Sequence, residues 1–513
     1  MKRSSLFFLL CIPLIFMAFM NHFSPKNAQN VFLGVSLLYT ISGYVFYRRR
    51  DTAVVIYLIF LLGLALKLFY IAYTPYWIRQ HDTGNFANDG ERGHFEYIYY
   101  ILTHHTFPFF HQNPNLPIYH PPLHHLISAI FLSVFSGYEN LQYLSFLYAG
   151  GSCIVSYLCL RPWIKADNVR ILAALFCSFF PAFIYLSGAL NNDPLSIFLS
   201  LLSFFYFMRY LQSKKKSDLI LSAVFLGFAG MTKVSSIMLF IGMLLFYNAS
   251  VSTERIKQED TLKDIVLFSC VYLTLFSIWP LYIMIRWDEL NMFANHYRRL
   301  AMLDTMPFWL SGYDPFLHIA DTTFANRPQY VGFHSLPERF GLIFYPVSMP
   351  FILRGSLYPE ILPEYNFWIA LIKDSLFSEI PLFKLGASIK STIGFDLCVL
   401  LFATAQILFV FFCFVFFKVD KKNDMVLCCR SVIIASLAAL IYFCIRNPIW
   451  SACSFRYIVL VFPCCCLLVI QYVQNNLTAD ERSGLIRKFL TCSVVFFSLL
   501  SFLVYSVFGF LSF

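Results

Sequence analysis

Residues 53–82 read AVVIYLIFLLGLALKLFYIAYTPYWIRQHD. An apolar run, interrupted in charge only by Lys67, passes directly into a polar segment that ends at Asp82. A helix of about 20 apolar residues crosses a hydrocarbon core of about 30 Å. The stretch is therefore a membrane span that delivers a carboxylate to the water–lipid boundary. The same arrangement recurs at Asn191-Asn192-Asp193, which separates two further apolar runs.

The rest of the chain agrees with this reading. Of its 513 residues 59% are hydrophobic and 13% charged, and 60 are Phe; the mean hydropathy is +0.66. A soluble domain of this length needs far more polar surface. Spans are predicted near 5–20, 31–47, 53–73, 141–160, 169–188, 194–211, 219–231, 234–248, 264–285, 393–417, 426–446, 456–473 and 489–510. All should be helical, because backbone groups in lipid must bond within their own segment. The fold class expected is thus all-α, a polytopic membrane protein of about 13 transmembrane helices. Lys2-Arg3 before an apolar run resembles a signal peptide, but no small-residue cleavage site follows, so the first span reads as an uncleaved anchor.

Basic residues set the orientation. Clusters fall at Lys2-Arg3, Arg48-Arg49-Arg50, Arg161/Lys165/Arg170, Arg209/Lys214/Lys215/Lys216, Arg255/Lys257/Lys263, Lys418/Lys421/Lys422/Arg430 and Arg482/Arg487/Lys488, at every second connection. The alternate short connections hold only Lys26, Lys233, Arg446 and Arg456. The N-terminus is therefore expected in the cytoplasm. The net charge of +10 is mostly this signal and does not argue for nucleic acid. The sequons at Asn248 and Asn476 fall on the cytoplasmic side and should carry no sugar.

Two long connections lie on the other face, 74–140 and about 287–390. The first holds His81, Asp82, Asp89, Glu91 and most of the histidines. It also holds two amphipathic or apolar segments, 93–105 and 122–136. The second of these reads as lying in the interface or dipping in and returning, because a crossing there would reverse every later basic cluster. The second loop carries Glu338, Glu360, Glu364 and Glu379. Loops this long are usually functional. The organisation expected is an N-terminal hairpin (1–50), a core (51–285), a large extracytoplasmic loop (286–392) and C-terminal helices (393–513). Nearly all of the 15 Cys fall in apolar spans without C-x-x-C or metal-like spacing, as small packing residues do.

An acidic residue after an early span, an interfacial segment with Pro121-Pro122-Leu123, and a span boundary at Asn192-Asp193-Pro194 together resemble the GT-C superfamily. The likeness is to its branch of protein O-mannosyltransferases and aminoarabinose transferases. Met231-Thr232-Lys233, Phe455-Arg456-Tyr457 and Ile372–Glu379 (IKDSLFSE) are further echoes, and the resemblance covers roughly 52–475. It implies transfer of a sugar from a polyprenyl- or dolichyl-phosphate carrier, with inversion, outside the cytoplasm. The membrane would be the plasma membrane in a bacterium and the ER in a eukaryote.

That chemistry needs a base, a cation for the leaving phosphate and an apolar groove. Asp82 is the expected base, with desolvation at the boundary raising its pKa; His81 beside it would tune it. Where relatives carry paired acidic residues this chain has His81-Asp82, so Asp89 and Glu91 stand as alternatives. Asp193 and Asn192 either cap the following helix or orient acceptor or metal. Arg456, supported by Tyr457, is the expected phosphate clamp, since guanidinium matches phosphate bidentately. Lys233 at the same face would assist, and Glu379 would complete the acceptor pocket. His120 and His124 have the spacing of two metal ligands on one helix, but Pro121-Pro122 places His120 ahead of the helix. The histidines therefore read as interfacial polar residues, with His120 near substrate. No ligand cluster decides whether a divalent cation is needed.

Other classes fit less well. A membrane O-acyltransferase wants a lone His in a buried span, and these lie in loops or at span ends; polymerases and ligases of envelope construction remain rival enzymes. A transporter or scramblase of lipid-linked sugars predicts ionisable residues in mid-span. Lys67 is the nearest case, a turn or two from the boundary.

Overall fold

The computed structural model describes residues 3–24, 27–76, 94–107, 120–252, 258–287, 367–377, 392–419, 423–446, 454–476 and 481–512. The apolar runs form α1 (Arg3–Phe23), α2 (Ala28–Arg48), α3 (Thr52–Tyr73), α6 (Asn140–Leu160), α7 (Asp167–Ser178), α8 (Pro181–Tyr185), α9 (Asp193–Ser213), α10 (Lys216–Gly230), α11 (Ile237–Ser252), α12 (Gln258–Phe276) and α13 (Ile278–Trp287). Later in the chain come α15 (Thr392–Lys418), α16 (Asp424–Arg446), α17 (Val461–Asn476) and α18 (Glu481–Ser512). The first long loop contributes α4 (His94–His104) and α5 (Leu123–Val134), and the second α14 (Phe367–Phe377).

α3 lies at the centre. Asp51 caps it, its carboxylate accepting from the Val54 N–H at 3.3 Å, which satisfies one of the orphan donors of the first turn. Most of its side chains are buried. α1 and α2 pack against it from outside and turn Phe8, Ile15, Phe16, Leu33 and Leu37 outward, as lipid-facing helices do. α9 and α10 form a hairpin against α6 and α12, and α11 packs on α16. Gly242 makes the last contact close: a Cβ there would meet the Val432 Cα at 2.9 Å.

Helices stand at all thirteen predicted positions, but not as thirteen uniform spans. Among the described residues nine helices are long and apolar enough to cross a membrane, and two bent pairs bring the number to eleven. The segment expected as one span at 169–188 breaks between Ser178 and Pro181, at 48°. Pro181 supplies no N–H, and Phe180 before it is extended (φ −66°, ψ 120°), as a residue ahead of Pro must be. The segment at 264–285 bends by 40° at Ser277, where the ring of Pro280 excludes a regular turn. α10 and α17 have only 15 and 16 residues. At about 1.5 Å per residue they fall short of a core of about 30 Å. The span expected from residue 456 begins instead at Val461, because Phe455–Ile458 form a 3-10 turn.

Lys67 explains how the break at Ser178 is tolerated. The end of α7 leaves carbonyls without intrahelical partners. Buried Lys67 donates from Nζ to the Ser178 carbonyl at 2.9 Å. Ser501 of α18 donates to the Phe179 carbonyl at 2.6 Å. Gly63, one turn before Lys67, makes room, since a Cβ there would overlap the Ser178 hydroxyl. The charge in α3 is thus a helix cap that fixes the direction of α8 and of the segment leading to Asp193.

Candidate active site

Three segments far apart in sequence meet where the shortened helices stop. Asp193 opens α9, Lys233 follows α10, and Arg456 lies in the 3-10 turn that precedes α17. Asp193 is 2% exposed in its side chain, Arg456 8% and Lys233 13%. Lys233 Nζ donates to Oδ1 of Asp193, and Arg456 Nη1 lies 3.2 Å from Oδ2. The Tyr457 ring supports both cations: Lys233 Nζ is 4.6 Å and the Arg456 guanidinium carbon 5.1 Å from its centre. Arg456 also donates from Nη2 to the Tyr457 hydroxyl at 3.2 Å. Attraction of a cation to an aromatic face adds to an ion pair and strengthens away from water. The basic residues of the same helices, Arg209 on α9, Lys214 just beyond it and Lys216 on α10, lie at their other ends.

Neighbouring backbone is tied to the same point. Asn192 occupies the cap position of α9 but makes no capping bond; its amide donates to the Thr232 carbonyl at 2.9 Å and so joins the Asp193 and Lys233 segments. The capping expected of Asn192 or Asp193 is done by Asn191, whose Oδ1 accepts from the Asp193 N–H at 3.1 Å. The start of α5 is bonded to both segments. The Leu123 N–H donates to the Met231 carbonyl at 3.1 Å, and His124 Nε2 donates to the Leu190 carbonyl at 3.1 Å. That carbonyl can only accept, which fixes the tautomer of His124.

Of the site residues expected from sequence, Asp193, Asn192, Lys233, Arg456 and Tyr457 come together. His120 precedes α5, with its ring 4.9 Å from that of His94. His81, Asp82, Asp89, Glu91 and Glu379 lie outside the described residues. Reading the histidines as interfacial misses their burial. His94, His124 and His125 are buried, and His94 Nδ1 shares a proton with His125 Nε2 at 2.8 Å. The pair of histidines inside the apolar run LHHLISAIF was the available signal. Among the described residues no group of three or more His, Cys, Asp and Glu is arranged to hold a metal ion.

A second element borders the turn of Arg456. An apolar cavity of about 830 Å³ lies among α7, α14, α15, α17 and α18. Phe455, Ile458, Trp368 and Leu371 line it near the site, and Lys165, Asn168 and Arg487 at the far end.

Residues 119–282 match the profile of the dolichyl-phosphate-mannose-protein mannosyltransferase family. The matched segment contains His120, Asn192, Asp193 and Lys233 and ends before Arg456. Among solved structures the chain is similar to ArnT from Cupriavidus metallidurans bound to undecaprenyl phosphate, at 14% identity and a TM-score of 0.37, over 87% of this chain and 77% of that one. No curated protein sequence matches it. With nine to eleven candidate spans among the described residues, the chain is an integral, multi-pass membrane protein.

Docking of α4 and α5 should depend on pH. Burial pushes the pKa of His124 down to about 4 from its ordinary 6.5, against the Leu190 carbonyl and Asp193, which raise it. Burial likewise holds His125 well below the ordinary value, and His94, His124 and His120 lower it further. A depressed folded-state pKa means stability fully present above pH 6.5 and lost as pH falls toward 4. For His124 a shift of this size corresponds to roughly 3 kcal/mol. Amide exchange in α4 and α5, corrected for its intrinsic pH dependence, should therefore accelerate between pH 6.5 and 4. His124→Gln keeps a donor for Leu190 and cannot charge, so it should flatten the profile. An unchanged profile in that variant would remove His124 as the cause.

Proposed function

We propose that this chain transfers a sugar from a polyprenyl- or dolichyl-phosphate carrier to an acceptor on the extracytoplasmic or lumenal face, with inversion at the anomeric carbon. The observation that carries this reading is the convergence of Lys233 and Arg456 on Asp193. It holds a guanidinium fork and an ammonium in one recess, donors suited to the oxygens of a departing phosphate. The apolar cavity beside Phe455 and Ile458 suits the isoprenoid tail. Asp82 is the base that takes the acceptor proton, with Asp89 or Glu91 as substitutes, and His81, His120 and Glu379 flank the acceptor. Asn192 and Tyr457 shape the donor side. The positive-inside pattern supports a cytoplasmic N-terminus and a site on the other face, and the chain divides into an N-terminal hairpin (1–50), a core (51–285), a large loop (286–392) and C-terminal helices (393–513).

A transporter or scramblase of lipid-linked sugars is less well supported. Lys67, the ionisable residue that such a reading would place on a pathway, is engaged with the Ser178 carbonyl.

Mass spectrometry of lipid that co-purifies with the protein tests the donor class. A polyprenyl phosphate or its sugar conjugate supports the reading; ordinary phospholipid alone counts against it. Asp82→Asn should lower transfer in nanodiscs by about 10²–10⁴-fold, the range for loss of a general base, with expression and donor affinity intact. Wild-type turnover in that variant removes Asp82 as base. The anomeric configuration of the product, read by NMR, tests inversion.

A further inference from the structure

A carboxylate from another element holds the two residues immediately before Arg456. Asp374 lies on α14, in the second long loop, and is buried. One of its oxygens, Oδ2, accepts from the Ser454 hydroxyl at 2.9 Å and from the Phe455 N–H at 2.5 Å. These donors are the two residues that lead into the turn, immediately before Arg456. The helix that carries Asp374 is itself held: the Tyr505 hydroxyl donates to the Leu376 carbonyl at 2.5 Å, and α14 packs against α8, α15 and the turn. An ionised acceptor makes short, strong bonds to such donors, so the start of the turn is fixed where α14 docks.

We propose that Asp374 is a positioning residue for the transfer reaction. It sets the Phe455–Ile458 turn so that the Arg456 guanidinium stands in register with Asp193 and Lys233. Docking of α14 thereby governs whether the cationic recess is assembled. The proposal rests on the reading of Arg456 as phosphate clamp.

The test is a double-mutant cycle on the full-length protein in nanodiscs, with a polyprenyl-phosphate sugar as donor. Asp374→Ala should lower kcat/KM for the donor by about 10–100-fold, the effect of a misplaced catalytic group, with the acceptor KM unchanged. Asp374→Asn keeps an acceptor oxygen for the Phe455 N–H and should restore part of the loss. In an Arg456→Ala background, Asp374→Ala should cost nothing further, because coupled residues do not add. Amide exchange across 454–458 should accelerate in Asp374→Ala while α9 to α12 exchange as in the wild type. Ser454→Ala removes only one bond; should Asp374→Ala fail to fold, its loss of a few fold must likewise vanish in the Arg456→Ala background. Multiplicative losses in a cycle where Arg456→Ala is impaired, or unchanged exchange across 454–458, overturn the proposal alone. An Arg456→Ala variant with wild-type donor kinetics overturns the phosphate reading and the proposal with it.

Discussion

Asp193→Ala is expected to abolish sugar transfer and to destabilise the protein by about 3–5 kcal/mol, the cost of breaking a buried ion pair from one side. Its side chain is 2% exposed and receives both Lys233 and Arg456. Removing it leaves two cationic heads facing one another in a site that excludes most water, where repulsion is weakly screened. Asp193→Asn keeps the volume but loses the charge, so it should fall between. Thermal unfolding in detergent, measured beside turnover, checks both parts. If Asp193→Ala melts like the wild type, the triad does not hold the three segments together.

The second large effect belongs to Arg456. Its replacement by Ala should lower kcat/KM for the donor by about 10²–10³-fold, as loss of one stabilising donor to a developing anion does. The acceptor KM should not move. Arg456→Lys should recover only part of this, because an ammonium cannot present a planar fork. A donor titration on each variant separates the cases. Unchanged donor affinity would leave Arg456 as a structural partner of Asp193.

How much of this could be read beforehand differs by level. Spans were legible because each is a local run of apolar residues. The break at Ser178 was not, since Phe179-Phe180 continues the apolar pattern through it; Pro181 was the single local mark. Residue identity at the site was partly legible: Asp193, Lys233 and Arg456 each stood out as polar at a span boundary. Their meeting on one carboxylate was not, because 40 residues separate Asp193 from Lys233 and far more separate either from Arg456. Only the packing of α9 on α10 and α6, and of α17 and its leading turn on α16, brings them together. Asp374 and the His94–His125 pair were hidden for a related reason. A carboxylate or imidazole in an apolar helix does not announce which backbone or ring it will find.

The Lys67 cap also bears on how the protein is made. A lysine inside a span costs up to about 3 kcal/mol on insertion, yet its partner, Ser178, lies 111 residues further along. At about 5–20 residues per second, many seconds of synthesis separate the two. α3 must therefore enter the bilayer on its apolar mass alone, and its hydropathy of 2.5 is among the highest of the candidate spans. Until α7 arrives, the ammonium reaches toward the nearer headgroups. Its retreat onto the Ser178 carbonyl links two stages of biogenesis: early helices settle only when the later, broken one has joined them.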